Sequence, residues 1–193
     1  GEPRLKMRSK RRSGKHLRSP RAVRSPGPKN CCSIFFTDLA MERTLSYVDA
    51  IREASDQEMG RDPNVVLFGL DVDDPKAIQG STRGLLSKYG PGRVFGTPLS
   101  EDAMCGAAIG MALAGLRPIH VHIRMDFLML AMNQIVNMAA KMQYMFGGQQ
   151  HVPLVVRSII GKSWGQGAQH SQGLYPLFMH VPGLKVVAPS TPF

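Results

Sequence analysis

Three short segments of this 193-residue sequence combine reactive side chains with a setting that could use them. The first is Thr97-Pro-Leu-Ser-Glu101, directly ahead of a run of small residues. Ser100 is placed to cap a following helix, and Glu101 then falls in its first turn, where the helix dipole favours a carboxylate. A chemical reading of the same residue stands beside this structural one. Ala103, Met104, Cys105, Ala107 and Ala108 follow Glu101. A carboxyl held in apolar surroundings has a raised pKa and can exchange a proton near neutrality. The second segment, Met125-Asp-Phe127, opens a helix through Asn133-Gln134 and Asn137, with Asp126 as its N-cap and Phe127 as core on the plain reading.

The third segment is Gly161-Lys-Ser-Trp-Gly-Gln-Gly-Ala-Gln-His-Ser171. It has the glycines of a phosphate-cradling loop without the Gly-Lys-Ser/Thr ending of a P-loop at the required spacing. A histidine on such a loop, after a buried strand, is a reasonable general acid or base, although a lone histidine is more often structural. His120 and His122 have no acid or cysteine near them in sequence at metal-ligand spacing. The cysteines, Cys31, Cys32 and Cys105, are two adjacent and one remote, a pattern that argues against a disulfide framework or a zinc site.

Alternating elements must position these residues. Ser46 to Gly60 reads as a helix with Val48, Ile51 and Ala54 on one side and Gly60 after its end. Asn64 to Leu70 reads as a strand, and an acidic loop runs from Asp71 to Asp74. Thr82 to Tyr89 is a short helix, and Gly90-Pro-Gly92 leads into Arg93-Val-Phe95. Helices are expected over Glu101–Ala114 and Phe127–Phe146, and strands over Pro118–Ile123, Pro153–Ile160 and Leu184–Ala188. Near-continuous apolar strands separated by helices predict an α/β fold: a three-layer, mostly parallel sheet with helices on both faces. Ligands of such sheets gather at the carboxyl ends of the strands, which singles out loops 71–81, 96–101, 124–127 and 161–173. The glycines and alanines of 106–115 predict a helix packed closely on another, of this chain or of a partner. Eight of the 12 methionines lie between Met104 and Met145, as gap-fillers of an irregular core.

Composition bounds the rest. The net charge of +10 suggests nucleic acid until it is divided along the chain. Residues 1–40 hold 11 Lys/Arg against two acids, whereas residues 41–193 hold 13 against 12, so the basic character belongs to an N-terminal extension. That extension is rich in Arg, Ser, Pro and Gly, and we expect it to be disordered, with the domain spanning 41–193. It reads as a nucleic-acid-binding arm, a nuclear signal around Lys10-Arg11-Arg12, a transit peptide or an idle leader. No uncharged apolar run approaches the roughly 18 residues of a spanning helix; Ala103 to Leu116 is 14 residues. No membrane role is expected, and nucleic acid is not an expected partner of the globular part.

Taken in order, several motifs make a specific pattern: Arg93-Val-Phe-Gly-Thr-Pro-Leu-Ser-Glu101, Gly106-Ala-Ala-Ile-Gly110, Gly115-Leu-Arg-Pro118, Asp126-Phe127, Asn133-Gln-Ile-Val-Asn137 with Ala139-Ala-Lys141, Ala168-Gln-His-Ser-Gln172 and Pro182-Gly-Leu-Lys-Val-Val-Ala-Pro-Ser190. Residues 41–193 thereby resemble the pyrimidine-binding half of the β subunit of thiamine-diphosphate-dependent 2-oxo acid dehydrogenases. These are the decarboxylating components acting on pyruvate, branched-chain 2-oxo acids and acetoin.

The resemblance implies roles. Glu101 matches the glutamate that hydrogen-bonds the aminopyrimidine ring nitrogen, promoting the imino form that generates the ylid. Phe127 matches the ring that stacks on the pyrimidine, and Leu99 and Ile123 match its apolar neighbours. His170 matches a loop histidine near the substrate. Leu154 aligns with a backbone-carbonyl ligand of a potassium ion, whose other ligands would fall beyond Phe193. Thiamine diphosphate would be shared with an α subunit, which would supply the magnesium and diphosphate motif; no Gly-Asp-Gly with a downstream Asn-Asn is present here. The implied assembly is an α2β2 heterotetramer that passes its acyl group to a lipoyl acyltransferase component. It would be cytoplasmic in a bacterium, or mitochondrial or plastidic if residues 1–40 are a transit peptide. The sequence departs from the family at Gly96, where Asp is frequent, and at Asn133, where Asp precedes Gln. It also ends where relatives continue into a C-terminal domain. Transketolase, deoxyxylulose-phosphate synthase and a non-catalytic protein with a phosphate-binding tail are the competing readings.

Overall fold

The computed structural model describes residues 44–76, 78–161 and 166–190. Residues 1–43, including the whole basic extension and the expected domain start at Met41, lie outside the described residues, as do Lys162 to Gly165 of the glycine-rich loop.

Four strands pair in parallel: β1 (Val65–Gly69), β2 (Val94–Gly96), β3 (Arg117–His122) and β4 (Val155–Ser158), in the order β2-β1-β3-β4. Their register sets Phe68 beside Phe95 on one side and His120 on the other, with Val156 beyond. Because side chains alternate along a strand, these residues share one face. Leu67, Val94 and Val121 point to the opposite face, where Met59 and Leu85 cover them in one core cluster. Met59 comes from α1 (Tyr47–Arg61) and Leu85 from α2 (Leu85–Tyr89). The first face is covered by α3 (Glu101–Leu113), α4 (Met125–Leu128) and α6 (Pro176–Met179), whose Cys105, Leu128 and Phe178 form a second cluster with Val156. The parallel sheet with helices on both faces agrees with the expectation. Each fully buried aliphatic or aromatic side chain contributes about 1.5–3 kcal/mol.

Local chemistry explains most boundaries. Ser46 caps α1, its hydroxyl accepting from the Asp49 N–H at 3.1 Å. Gly60 lies inside this helix rather than after it, and Asp62 ends it. Gly69 is extended with φ +154°, and a Cβ there would collide with the Val121 carbonyl, so close packing of β1 on β3 requires glycine.

Two expectations are corrected. The stretch Phe127–Phe146 is not one α-helix: α4 passes into a 3-10 turn at Met129–Ala131, a π-helical stretch at Asn133–Ala139 and then α5 (Ala140–Met145). No glycine or proline lies within it, and nothing in the sequence explains the change of winding. Leu184–Ala188 is not a strand. Leu184 and Val186 do pack on the second cluster, so the alternation is real. The segment makes no ladder with β4, and a cavity of about 880 Å³ is lined by both.

Candidate functional site

The carboxyl ends of β1, β2 and β3 open into a cavity of about 270 Å³. Residues of the 96–101, 124–127 and 161–173 loops line it, whereas the 71–81 loop stays outside. Among the lining residues are Leu99, Glu101, Ile123, Phe127 and His170, which the structure therefore brings together. Leu154 is not among them. It precedes β4 at the opposite end of the strand and lines the larger cavity instead.

Glu101 is the first residue of α3. One turn on, Met104 and Cys105 follow it onto the same side of the helix. Ser100 occupies the N-cap position, but its hydroxyl makes no capping bond, which corrects that expectation. The apolar setting expected around Glu101 is also only partly present: Ala103 and Ala107 are exposed, Met104 is half-buried, and only Cys105 and Ala108 are buried. The half-buried Glu101 carboxylate has no hydrogen-bond or ion-pair partner among the described residues, so its acceptor oxygens are available to a ligand.

Apolar walls flank that carboxylate. Leu99 is 71% exposed and Phe127 37% exposed, although both are large apolar side chains on the cavity wall. Asp126 does not cap α4, since Arg124 holds that position. Asp126 instead accepts from the Gln172 backbone N–H at 3.2 Å and its side-chain amide at 2.8 Å. Arg124 donates to Gln166 through Nε at 3.1 Å and Nη2 at 2.6 Å. These contacts tie the loop after β4 to the start of α4, and they carry His170 to Phe127 with ring centroids 5.2 Å apart. The Nδ1 of His170 is buried without a partner among the described residues.

His120 and His122 line the cavity, and with Cys105 packed behind them they form a group that sequence spacing did not assemble. Cys105, His120 and His122 are 1%, 2% and 5% exposed, and their ligand atoms all lie within 4.8 Å of one another. The expectation that no cysteine lies near the two histidines is thus wrong in three dimensions. His120 and His122 share a strand face by the two-residue period, and α3 crosses that face with Cys105 turned down. The i, i+2 histidine spacing on a buried strand was the available clue; the cysteine came from a different element. Burial pushes the Cys105 thiol up to about 12, helped by the Asp102 and Glu101 charges. Burial also lowers His120 to about 4, against a raising influence of the Phe68 backbone, and His122 to about 3, with His120 adding to the effect. Both imidazoles are neutral at physiological pH.

The small-residue helix packs partly within this chain. A Cβ placed on Gly106 would lie 3.7 Å from the Gln134 side chain, and the Gln134 amide donates to Asp102 at 3.4 Å, whereas nothing lies within 4 Å of a Cβ placed on Gly110. At Gly96 a Cβ would meet the Asp73 carboxylate, so the glycine leaves room for that side chain.

Comparison with known proteins agrees with this geometry. The transketolase pyrimidine-binding domain family matches residues 43–193. Acetoin:2,6-dichlorophenolindophenol oxidoreductase subunit beta of Cupriavidus necator is 49% identical over 163 residues, covering 79% of this chain and 48% of the relative. The protein of the same name from Bacillus subtilis is 42% identical over 165 residues, with the same coverage. Pyruvate dehydrogenase E1 component subunit beta-1, mitochondrial, of Oryza sativa is 38% identical over 181 residues, covering 94% of this chain and 48% of the relative. The chain spans about half the length of these curated relatives.

Proposed function

The chain belongs to the transketolase pyrimidine-binding family over residues 43–193, and from that premise we propose that it supplies the pyrimidine half of a thiamine diphosphate site in a 2-oxo acid dehydrogenase β subunit. The observation that carries the reading is that Glu101, Phe127 and His170, drawn from three separate segments, line one cavity at the carboxyl ends of the strands. Relatives named as β subunits favour this over a transketolase or deoxyxylulose-phosphate synthase.

The residues present fit the cofactor. Its pyrimidine is a flat ring with apolar faces and a polar edge; the cavity offers exposed apolar walls at Leu99 and Phe127 and an unpartnered carboxylate at Glu101. When bound, thiamine diphosphate supplies the electron sink for decarboxylation. Glu101 holds a proton at the pyrimidine ring nitrogen, Phe127 gives the ring a stacking surface, and Leu99 and Ile123 exclude water from its edges. His170 faces the substrate side as proton donor or hydrogen-bond partner, with Phe127 and the Asp126–Gln172 contact fixing where it stands. The diphosphate and its magnesium fall to an α subunit, in a heterotetramer that hands the acyl group to a lipoyl acyltransferase component. Leu154 would contribute a carbonyl to a potassium site remote from the cavity. Residues 1–40 are proposed as an upstream extension with no part in the site, with a transit peptide as the second reading where the source is an organelle-bearing cell.

Glu101→Gln in the full-length αβ assembly tests this. Turnover should fall to a small residue of its original value while the fold and the assembly persist. Near-normal activity would overturn the assignment of Glu101. A panel of 2-oxo acids together with acetoin, run on the same assembly, identifies the substrate.

A further inference from the structure

The buried trio beneath the cavity is not needed for the cofactor chemistry above, yet it is built like a ligand set. A tetrahedral zinc bound by sulfur at about 2.3 Å and imidazole nitrogen at about 2.0 Å places those two atoms about 3.5 Å apart. Cys105 Sγ and His122 Nε2 stand 3.4 Å apart. A thiol–imidazole hydrogen bond would satisfy that pair equally well, but it leaves His120 unexplained. His120 is 2% exposed; the Phe68 backbone lies close enough to influence its protonation, but neither ring nitrogen makes a well-aligned hydrogen bond among the described residues. A buried polar group without a partner costs about 1–3 kcal/mol. Ser158, set beside His122 by the β3–β4 register, adds a buried hydroxyl that is likewise unpartnered.

We propose that Cys105, His120 and His122 form a binding site for a borderline-soft divalent cation of the zinc class. One sulfur and two imidazole nitrogens are a donor set suited to zinc and poorly suited to magnesium or calcium, which take oxygen. Both histidines line the cavity, so water or a small ligand in it completes the coordination. Binding displaces the thiol proton to solvent, because the metal takes the thiolate form. Phe68 stacks on His120 at 4.6 Å between ring centroids, and His120 meets His122 edge-on at 4.4 Å. These contacts hold the two imidazoles in place on a central strand.

The test uses the full 193-residue chain, reduced and stripped with a chelator, then titrated with cobalt(II) as a spectroscopic stand-in for zinc. The expected result is one equivalent bound, with a sulfur-to-cobalt charge-transfer band and visible bands of tetrahedral intensity, bleached by one equivalent of zinc. Cys105→Ser should abolish the charge-transfer band. His122→Gln should weaken binding by more than the roughly 10-fold typical of losing an outer-shell partner. Circular dichroism on each variant separates loss of the site from loss of the fold, and a chain carrying Cys31→Ser and Cys32→Ser, in which Cys105 is the one remaining thiol, must keep the band. Cobalt binding without a thiolate band, as exposed His151 or His180 would give, overturns the proposal. So does the absence of binding.

Discussion

The imidazole of His170 stands edge-on to the ring of Phe127, with centroids 5.2 Å apart and an interplanar angle of 74°. The ring proposed to carry the pyrimidine therefore also seats the histidine proposed to face the substrate. On that proposal, one side chain would connect cofactor binding to acyl chemistry.

Replacing that ring should be felt at both ends. Aromatic pairing is worth about 0.5–1.5 kcal/mol beyond area burial, so Phe127→Ala should weaken thiamine diphosphate binding by about 2- to 10-fold in the αβ assembly. Phe127→Leu should keep the apolar contact while losing the His170 seat, lowering turnover more than affinity. Calorimetry and steady-state kinetics on both variants check this.

The chain by itself should hold the cofactor weakly. Arg124 is the one Lys/Arg side chain on the described cavity wall, and its guanidinium is already donating to Gln166. Without cations or oriented donors to offset the diphosphate charge, affinity should be no tighter than about millimolar, or about −4 kcal/mol. Addition of an α subunit to a full-length β subunit should bring magnesium-dependent tight binding. Micromolar binding by the lone chain, measured calorimetrically, would contradict this division of labour.

Arg93 opens the motif that ends in Glu101, but it works far from the cavity. Its Nη2 donates to the carbonyls of Met59, Asp62 and Val65 at 2.7 to 2.9 Å, and its Nε donates to Val65 again. The guanidinium thus closes the carboxyl end of α1 onto β1 and lies over the Tyr89 ring at 5.0 Å. Arg93→Lys keeps the charge and loses the fork. It should destabilise the domain by about 1–3 kcal/mol, with Arg93→Ala costing at least as much, as read by chemical denaturation.

A pH-dependent contribution belongs to Asp56. Hydrogen bonds from Lys88 first and then Tyr89 hold its carboxyl below the ordinary 3.8. A group lowered on folding stabilises above its unfolded value and loses that contribution as pH falls through its folded value. Asp56 also raises Lys88 above 10.5, a contribution lost only as pH rises through that higher value. Asp56→Asn should therefore lower the thermal midpoint at neutral pH, and the gap to the parent chain should close as pH falls below 3.8.

Glu101, Phe127 and His170 were legible in the sequence because each lies in a short run whose neighbours also have structural jobs. Gly106 packs beside Gln134, Arg93 reaches three carbonyls, and Asp126 holds Gln172. The trio of Cys105, His120 and His122 was not legible, because its cysteine reaches the histidines only after α3 crosses the β3 face. Residues 184–188 show a different limit. Their side chains alternate as in a strand, but alternation reports which side faces the core and says nothing about whether the backbone finds a partner. The π-helical winding of 133–139 has no local cause in the sequence.

Asp73 occupies the space that a side chain at position 96 would need. Asp73 is exposed and its carboxylate is the far end of a flexible side chain, so it can turn away into solvent. A second carboxylate at 96 would add charge repulsion to the steric demand. The two positions therefore form one tolerance unit: what residue 96 can become is set by how freely residue 73 can leave, and either substitution measured alone misreports the pair.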